Sequence, residues 1–147
     1  MVCLGNICRS PLAEGIMLQL IENHKLEIKV DSAGTSNYHI GEHPDRRTIT
    51  NASKNGVNLS KLVARQFTET DFDDFDHIYV MDKSNLKNVL ALAKTEVQKN
   101  KVDLLLNVLE PGKDNEVPDP YFGGEEGFED VFQMVYKACC KIIGQSD

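Results

Sequence analysis

The sequence predicts an α/β fold, a three-layer sandwich in which a four-stranded parallel sheet carries helices on both faces. Three observations predict it: strand-like runs alternate with helix-period segments along the chain, Gly and Pro mark the joints, and 147 residues make one ordinary domain. Residues 1–147 are read as a single unit, since no linker, repeat or low-complexity segment interrupts them.

The first strand is expected to end at Cys3. Ser10 in an N-cap position and Pro11 at the first helical position start a helix, along which Leu12, Ala13, Ile16, Met17, Leu20 and Ile21 recur at helical spacing. Leu26, Ile28 and Val30 alternate with Glu27 and Lys29, as a strand would. Gly34 opens a polar loop that lasts to His43. A second helix follows from about Pro44 to Asn55, with Ile49 and Ala52 inward and Gly56 as its left-handed stop. Ile78, Tyr79 and Val80 predict a strand over His77 to Met81, and Leu86, Val89, Leu90 and Ala93 a helix after it. Val102 to Val108 supplies the fourth strand, Pro111 to Gly124 reads as turns, and Phe128, Val131, Phe132, Val135, Cys139 and Ile142 form the stripe of a last helix. Only Met1 and Val2 precede Cys3, against the five or six residues of a typical strand. The expectation is a central strand short of ladder partners, and a chain less stable than one carrying about four or five more apolar residues ahead of Met1.

Sixteen Lys and Arg against 23 Asp and Glu leave a formal charge of −7. No basic run offsets it, which argues against a nucleic-acid partner. No apolar stretch approaches the roughly 20 residues of a bilayer span, so no membrane partner is expected. Four cysteines, at 3, 8, 139 and 140, are too few and too clustered for a disulfide framework, and the expected location is the cytoplasm.

In a parallel sheet the ligand crevice lies beyond the carboxyl ends of the strands, so the loops Cys3 to Arg9, Gly34 to His43 and Leu109 to Gly124 are expected to converge. The first of these carries Cys3-Leu4-Gly5-Asn6-Ile7-Cys8-Arg9-Ser10. A loop closing onto a helix N-terminus turns backbone N–H groups inward and adds the positive end of the helix dipole, which makes an anion site. That field favours the thiolate of Cys3, the nucleophilic form. Gly5 eases the close backbone approach. The Arg9 guanidinium can hold two phosphate oxygens at once, as a lysine ammonium cannot. The bland alternative is a buried cysteine at a strand end beside a surface arginine.

The segment Val2 to Pro11 resembles the signature loop of the low-molecular-weight protein tyrosine phosphatases. Asp31-Ser32-Ala33-Gly34-Thr35, Met81-Asp82 with Asn85-Leu86, and Pro118-Asp119-Pro120-Tyr121 are similar to further segments of that family, so the resemblance covers nearly the whole chain. It implies a phosphate loop between first strand and first helix, formed by Cys3 through Ser10 with Leu4, Gly5, Ile7 and Cys8 supplying backbone. It implies Cys3 as nucleophile, Arg9 as phosphate binder, Ser10 as support for the leaving thiolate, Asn6 as a loop-shaping side chain and Asp119 as general acid. Asp119 also fits on chemical grounds: a carboxylic acid eases expulsion of a phenolate and, once ionised, can activate water against a phosphocysteine. Pro118 and Pro120 would hold it in place. Alone, the same aspartate would read as the start of a Pro-containing turn.

Tyr38, Tyr121 and Phe122 lie on two of the converging loops and would wall an aryl ring, which favours phosphotyrosine proteins and small aryl phosphates as substrates. Ile7 points the same way, since relatives resembling arginine phosphatases carry Thr there. Inorganic phosphate and other oxyanions are expected in the same loop. Neither metal nor cofactor is called for, and the four histidines, His24, His39, His43 and His77, show no ligand spacing and are expected to face solvent or cap. The acidic group Glu69, Asp71, Asp73, Asp74 and Asp76 reads as a solvated face, and Cys139 and Cys140 as buried filler. Cys3 and Cys8 are close enough in sequence for a reversible protective disulfide. The family's usual His ahead of Ala-Arg is replaced by Leu62, so support of Ser10 from that side is expected to be missing. Two other functions remain open: an arsenate reductase of the same fold, and a phosphate- or phosphotyrosine-binding module without turnover.

Overall fold

The structure, a computed structural model, describes residues 1–144. Its sheet holds β1 (Val2–Cys3), β2 (Ala33–Gly34), β3 (Ile78–Val80) and β4 (Val102–Leu104), all parallel, in the order β2-β1-β3-β4. Around it lie α1 (Arg9–His24), α2 (Arg46–Lys54), α3 (Asp71–Asp74), α4 (Lys83–Leu90), α5 (Glu96–Asn100) and α6 (Glu125–Ile142).

Alternation along the strands sorts the side chains into two cores. Cys3 turns toward α1 and α6, where Leu12, Ile16, Val131 and Val135 are buried, while Val2, Ile78, Val80 and Leu104 turn to the opposite face against Phe67, Phe72 and Val89. Helices therefore cover both faces, as predicted. Gly15 lets α1 approach closely: a Cβ there would stand 2.1 Å from Cδ2 of Leu59.

The strands are shorter than expected. Leu26, Ile28 and Val30 form no strand, and Ile28 is 42% exposed. A ladder needs a partner of matching length, and β1 offers two residues. Hydrogen bonding between the two segments begins where the Met1 nitrogen donates to the Asp31 carbonyl at 3.1 Å and the Ala33 amide to the Met1 carbonyl at 3.0 Å. Val102 to Val108 divides into β4 and a 3₁₀ turn, Leu105–Val108. Two short helices escaped the periodicity. One is α5, capped by the Thr95 hydroxyl; the other is α3, inside the acidic group read as a solvated face. There Asp71 is buried, receiving both Arg65 terminal nitrogens at 2.9 and 3.0 Å. Burial of a carboxylate is tolerated when a guanidinium fork satisfies it.

Helix boundaries elsewhere follow local chemistry. The Asp45 carboxylate accepts from the Arg47 amide to start α2, and Gly56 takes φ +81° just beyond its end. Asp82 and Asn85 form a reciprocal capping box on α4. α1, however, begins at Arg9 with Cys8 as its cap residue, so Ser10 is inside the helix and caps nothing.

Candidate active site

The loop from Cys3 to Arg9 joins the carboxyl end of β1 to the first turn of α1, which puts the positive end of the helix dipole beside the loop. Asn6 bends it, adopting φ +57°, a conformation Asn tolerates better than most residues. The Asn6 amide N–H donates to Cys3 Sγ at 3.3 Å, and Ser10 Oγ lies 2.9 Å from the same sulfur. Ser10 thus serves the cysteine rather than the helix end. Its oxygen accepts from Asn6 Nδ2 at 2.7 Å, so its one hydroxyl proton has two acceptors in reach, the sulfur at 2.9 Å and the Ala33 carbonyl at 3.4 Å. Asn6 Nδ2 also donates to Ser32 Oγ, and Asn6 Oδ1 accepts from the Arg65 amide at 3.0 Å, so every polar atom of this buried side chain is used. The side chain of Leu62 gives Ser10 no hydrogen bond; Asn6 donates to it directly and is itself held by the Arg65 amide.

Arg9 is 3% exposed. One terminal nitrogen donates to Asp82 Oδ2 at 2.6 Å and to the Val117 carbonyl at 3.0 Å; the other lies 3.7 Å from Asp119 Oδ2. The sequence marks Asp82 as part of a segment resembling the family, just past a strand, and assigns it no role in the site. Its place at the carboxyl end of β3, which neighbours β1, is the signal that marks it, because ligand sites in open parallel sheets gather there. Asp119 is 40% exposed at its side chain, and its Oδ1 accepts from the Tyr121 amide at 3.0 Å. That bond fixes one carboxyl oxygen and leaves the other facing Arg9.

The three loops do converge, enclosing a cleft of ≈ 200 Å³. Cys3, Leu4, Gly5, Ile7, Cys8 and Arg9 form its floor, with Tyr38, Asp119, Tyr121 and Phe122 around it. Tyr38 and Phe122 are strongly exposed at 72% and 93%, while Tyr121 is more enclosed at 37%. Burial pushes the Cys8 thiol up to about 12. His39 was expected to face solvent or cap but lines the cleft, with Nδ1 3.0 Å from Glu42 Oε2. It packs over Gly5, where a Cβ would meet its Cδ2 at 2.9 Å. Among the described residues no group of His, Cys, Asp or Glu is placed to hold a metal ion. Cys139 and Cys140 are buried in α6, as expected, and burial raises the Cys139 thiol. A sulfur nucleophile, an anion cradle, a guanidinium and a free carboxyl oxygen in one cleft can together transfer a phosphoryl group.

Comparison with known proteins agrees with that chemistry. The family model described as low molecular weight phosphotyrosine protein phosphatase matches residues 1–146. A curated relative, the low molecular weight phosphotyrosine protein phosphatase of Gallus gallus, is 43% identical over 145 residues, 97% of this chain and 90% of its own. A solved protein tyrosine phosphatase from Entamoeba histolytica, with Hepes in its active site, superposes with a TM-score of 0.89 at 40% identity, covering 97% of this chain and 91% of that one. A Drosophila arginine phosphatase superposes with a TM-score of 0.88 at 32% identity, covering 97% and 92%. No helix among the described residues is long and apolar enough to cross a membrane. With a family model matched end to end and relatives above 40% identity over nearly their whole length, the chain belongs to the low molecular weight phosphotyrosine protein phosphatase family.

Proposed function

We propose that this protein-tyrosine phosphatase hydrolyses phosphotyrosine in proteins, and small aryl phosphates, through a phosphocysteine intermediate on Cys3. The observation that carries this reading is the Cys3 Sγ that accepts from the Asn6 amide and lies 2.9 Å from the Ser10 hydroxyl, in a cleft shared with Arg9 and Asp119. The thiolate attacks phosphorus while the loop amides and Arg9 hold the non-bridging oxygens. The P–O bond to the aryl ring breaks, and Asp119 gives its proton to the departing oxygen. In the second half, Asp119 takes a proton from water as that water attacks phosphorus. The S–P bond breaks, the Ser10 hydroxyl steadies the returning thiolate, and inorganic phosphate leaves. No step needs a metal.

Tyr38 and Tyr121 support an aryl leaving group, and Ile7 favours it over a guanidinium such as the Drosophila arginine phosphatase would accept. Four free, buried cysteines are consistent with work in the cytoplasm. An arsenate reductase reading finds no support, because beyond Cys8 the only thiols are Cys139 and Cys140, both buried in α6. A reversible Cys3–Cys8 disulfide remains part of the proposal, with Cys8 attacking an oxidised Cys3; the raised Cys8 pKa makes that attack slow.

Hydrolysis of p-nitrophenyl phosphate, without added metal, tests the mechanism. Turnover is expected to vanish in Cys3→Ser, and kcat to fall about a hundredfold or more in Asp119→Ala, where the base that activates water against the phosphocysteine is lost. Oxyanion binding without turnover by the unmodified chain would establish a binding module instead.

A further inference from the structure

Nothing in the chemistry above explains Arg47, an arginine two residues into α2 that carries an unusual set of contacts. Its guanidinium centre lies 5.2 Å from the Tyr121 ring and 4.9 Å from the ring of Phe128, which is buried in α6. Its Nε and one terminal nitrogen grip the two oxygens of Asp45, each at 3.1 Å. Asp45 in turn belongs to the phosphate loop's surroundings: its amide donates to the Ile7 carbonyl at 2.8 Å. At the other end of the series, the Tyr121 amide donates to Asp119 Oδ1. An unbroken run of contacts therefore leads from the floor of the cleft, through Asp45 and Arg47, to the ring and then the backbone that hold the Asp119 carboxyl.

We propose that Arg47 is a positioning residue for Asp119, registering the Pro118–Tyr121 turn on α2 so that the free carboxyl oxygen stands over the phosphate loop. The proposal rests on Asp119 being the general acid. Its physical basis is that a turn anchored at one end, at Val117, can still pivot there, so the height of its far end above the site needs a second fixed point. A planar cation between two rings, itself locked by a carboxylate fork, sets that height. The turn is tied down at its start, where the Val117 amide donates to the Met81 carbonyl at 2.8 Å and the Val117 carbonyl accepts from Arg9, but beyond Asp119 Gly123 bonds back to Pro120 within the turn and Phe122 is almost fully exposed. A lysine keeps the charge but has neither the flat face nor the fork.

The test compares kcat/KM on phenyl phosphate, whose leaving group needs protonation, with p-nitrophenyl phosphate, whose leaving group needs it far less. Arg47→Ala is expected to lose about tenfold on phenyl phosphate and less than about twofold on p-nitrophenyl phosphate, with Arg47→Lys between parent and Ala. Asp119→Asn should show the same bias more strongly. Adding Arg47→Ala to Asp119→Asn should cost nothing further, because one residue acts through the other. Inhibition by inorganic phosphate should be unchanged in the Arg47 variants, and Arg47→Met replaces Ala if that variant does not fold. Equal losses on both substrates in Arg47→Ala, or additive losses in the double variant, would overturn the positioning role alone. An unbiased loss in Asp119→Asn would overturn the assignment of the acid itself.

Discussion

At the scale of single residues, Asn6 is the point on which the site's order depends. Its amide group stands between Ser10 and Ser32, and Ser32 Oγ donates onward to Glu14 Oε1 at 2.5 Å. Hydrogen bonds thus run from Asn6 through Ser32 to a carboxylate in one direction and from Asn6 to Ser10, beside the sulfur, in the other. Glu14 is the costly member: burial raises its pKa above the ordinary 4.5, although the Ser32 hydroxyl opposes the shift. A folded-state pKa raised in this way means that the folded chain holds the proton more tightly than the unfolded one. Its stabilising contribution is complete below pH 4.5 and is lost as pH rises through the raised value. Glu14→Gln should therefore remove part of the parent's decline in stability above that pH. Urea midpoints measured in steps from pH 4 to pH 8 check this, and parallel curves for the two proteins would show that Glu14 titrates alike folded and unfolded.

At the scale of elements, the join between β2 and the phosphate loop decides whether the cradle can form. Gly34 lies under it: a Cβ there would come 2.8 Å from the Leu4 carbonyl oxygen and 3.1 Å from the Asn6 nitrogen. Both are backbone atoms, so no side-chain rotation relieves the clash, and the loop itself has to move. The same loop is pinned from above by the Thr35 and Ser36 amides, which donate to the Cys3 and Leu4 carbonyls at 2.9 Å. Gly34→Ala is expected to weaken competitive inhibition by inorganic phosphate about tenfold and to destabilise the fold by about 1–3 kcal/mol. Inhibition constants and urea titration measure the two effects, and an unchanged phosphate constant would show that the loop absorbs the extra methyl. The α1 terminus carries a related lesson. Starting the helix at Arg9 instead of after Ser10 places the guanidinium in the first turn, where the backbone fixes its origin.

At the scale of the molecule, the sheet separates a core that supports Cys3 from one that does not touch the cleft. Leu104, 1% exposed, belongs to the second. Leu104→Ala is expected to cost about 2–5 kcal/mol of stability while leaving kcat/KM of the folded enzyme within about twofold of the parent. Thermal melts and assays well below the melting temperature check both halves, and a large kcat/KM loss would show that the two cores are coupled. This separation also explains what was readable beforehand. The alternation of elements, the Gly56 stop, the last helix and the Cys3-to-Ser10 motif are local patterns, each set by residues within a few positions of one another, and the sequence alone determined them. It also brought Cys3, Arg9 and Asp119 to notice through chemistry and family resemblance. Strand lengths, the burial of Asp71, the Asp82 grip on Arg9, the turn of His39 into the cleft and the seat of Arg47 were decided only by tertiary structure. Each depends on which distant segment lies alongside, 73 positions away for Arg9 and Asp82, and neither periodicity nor propensity carries that information.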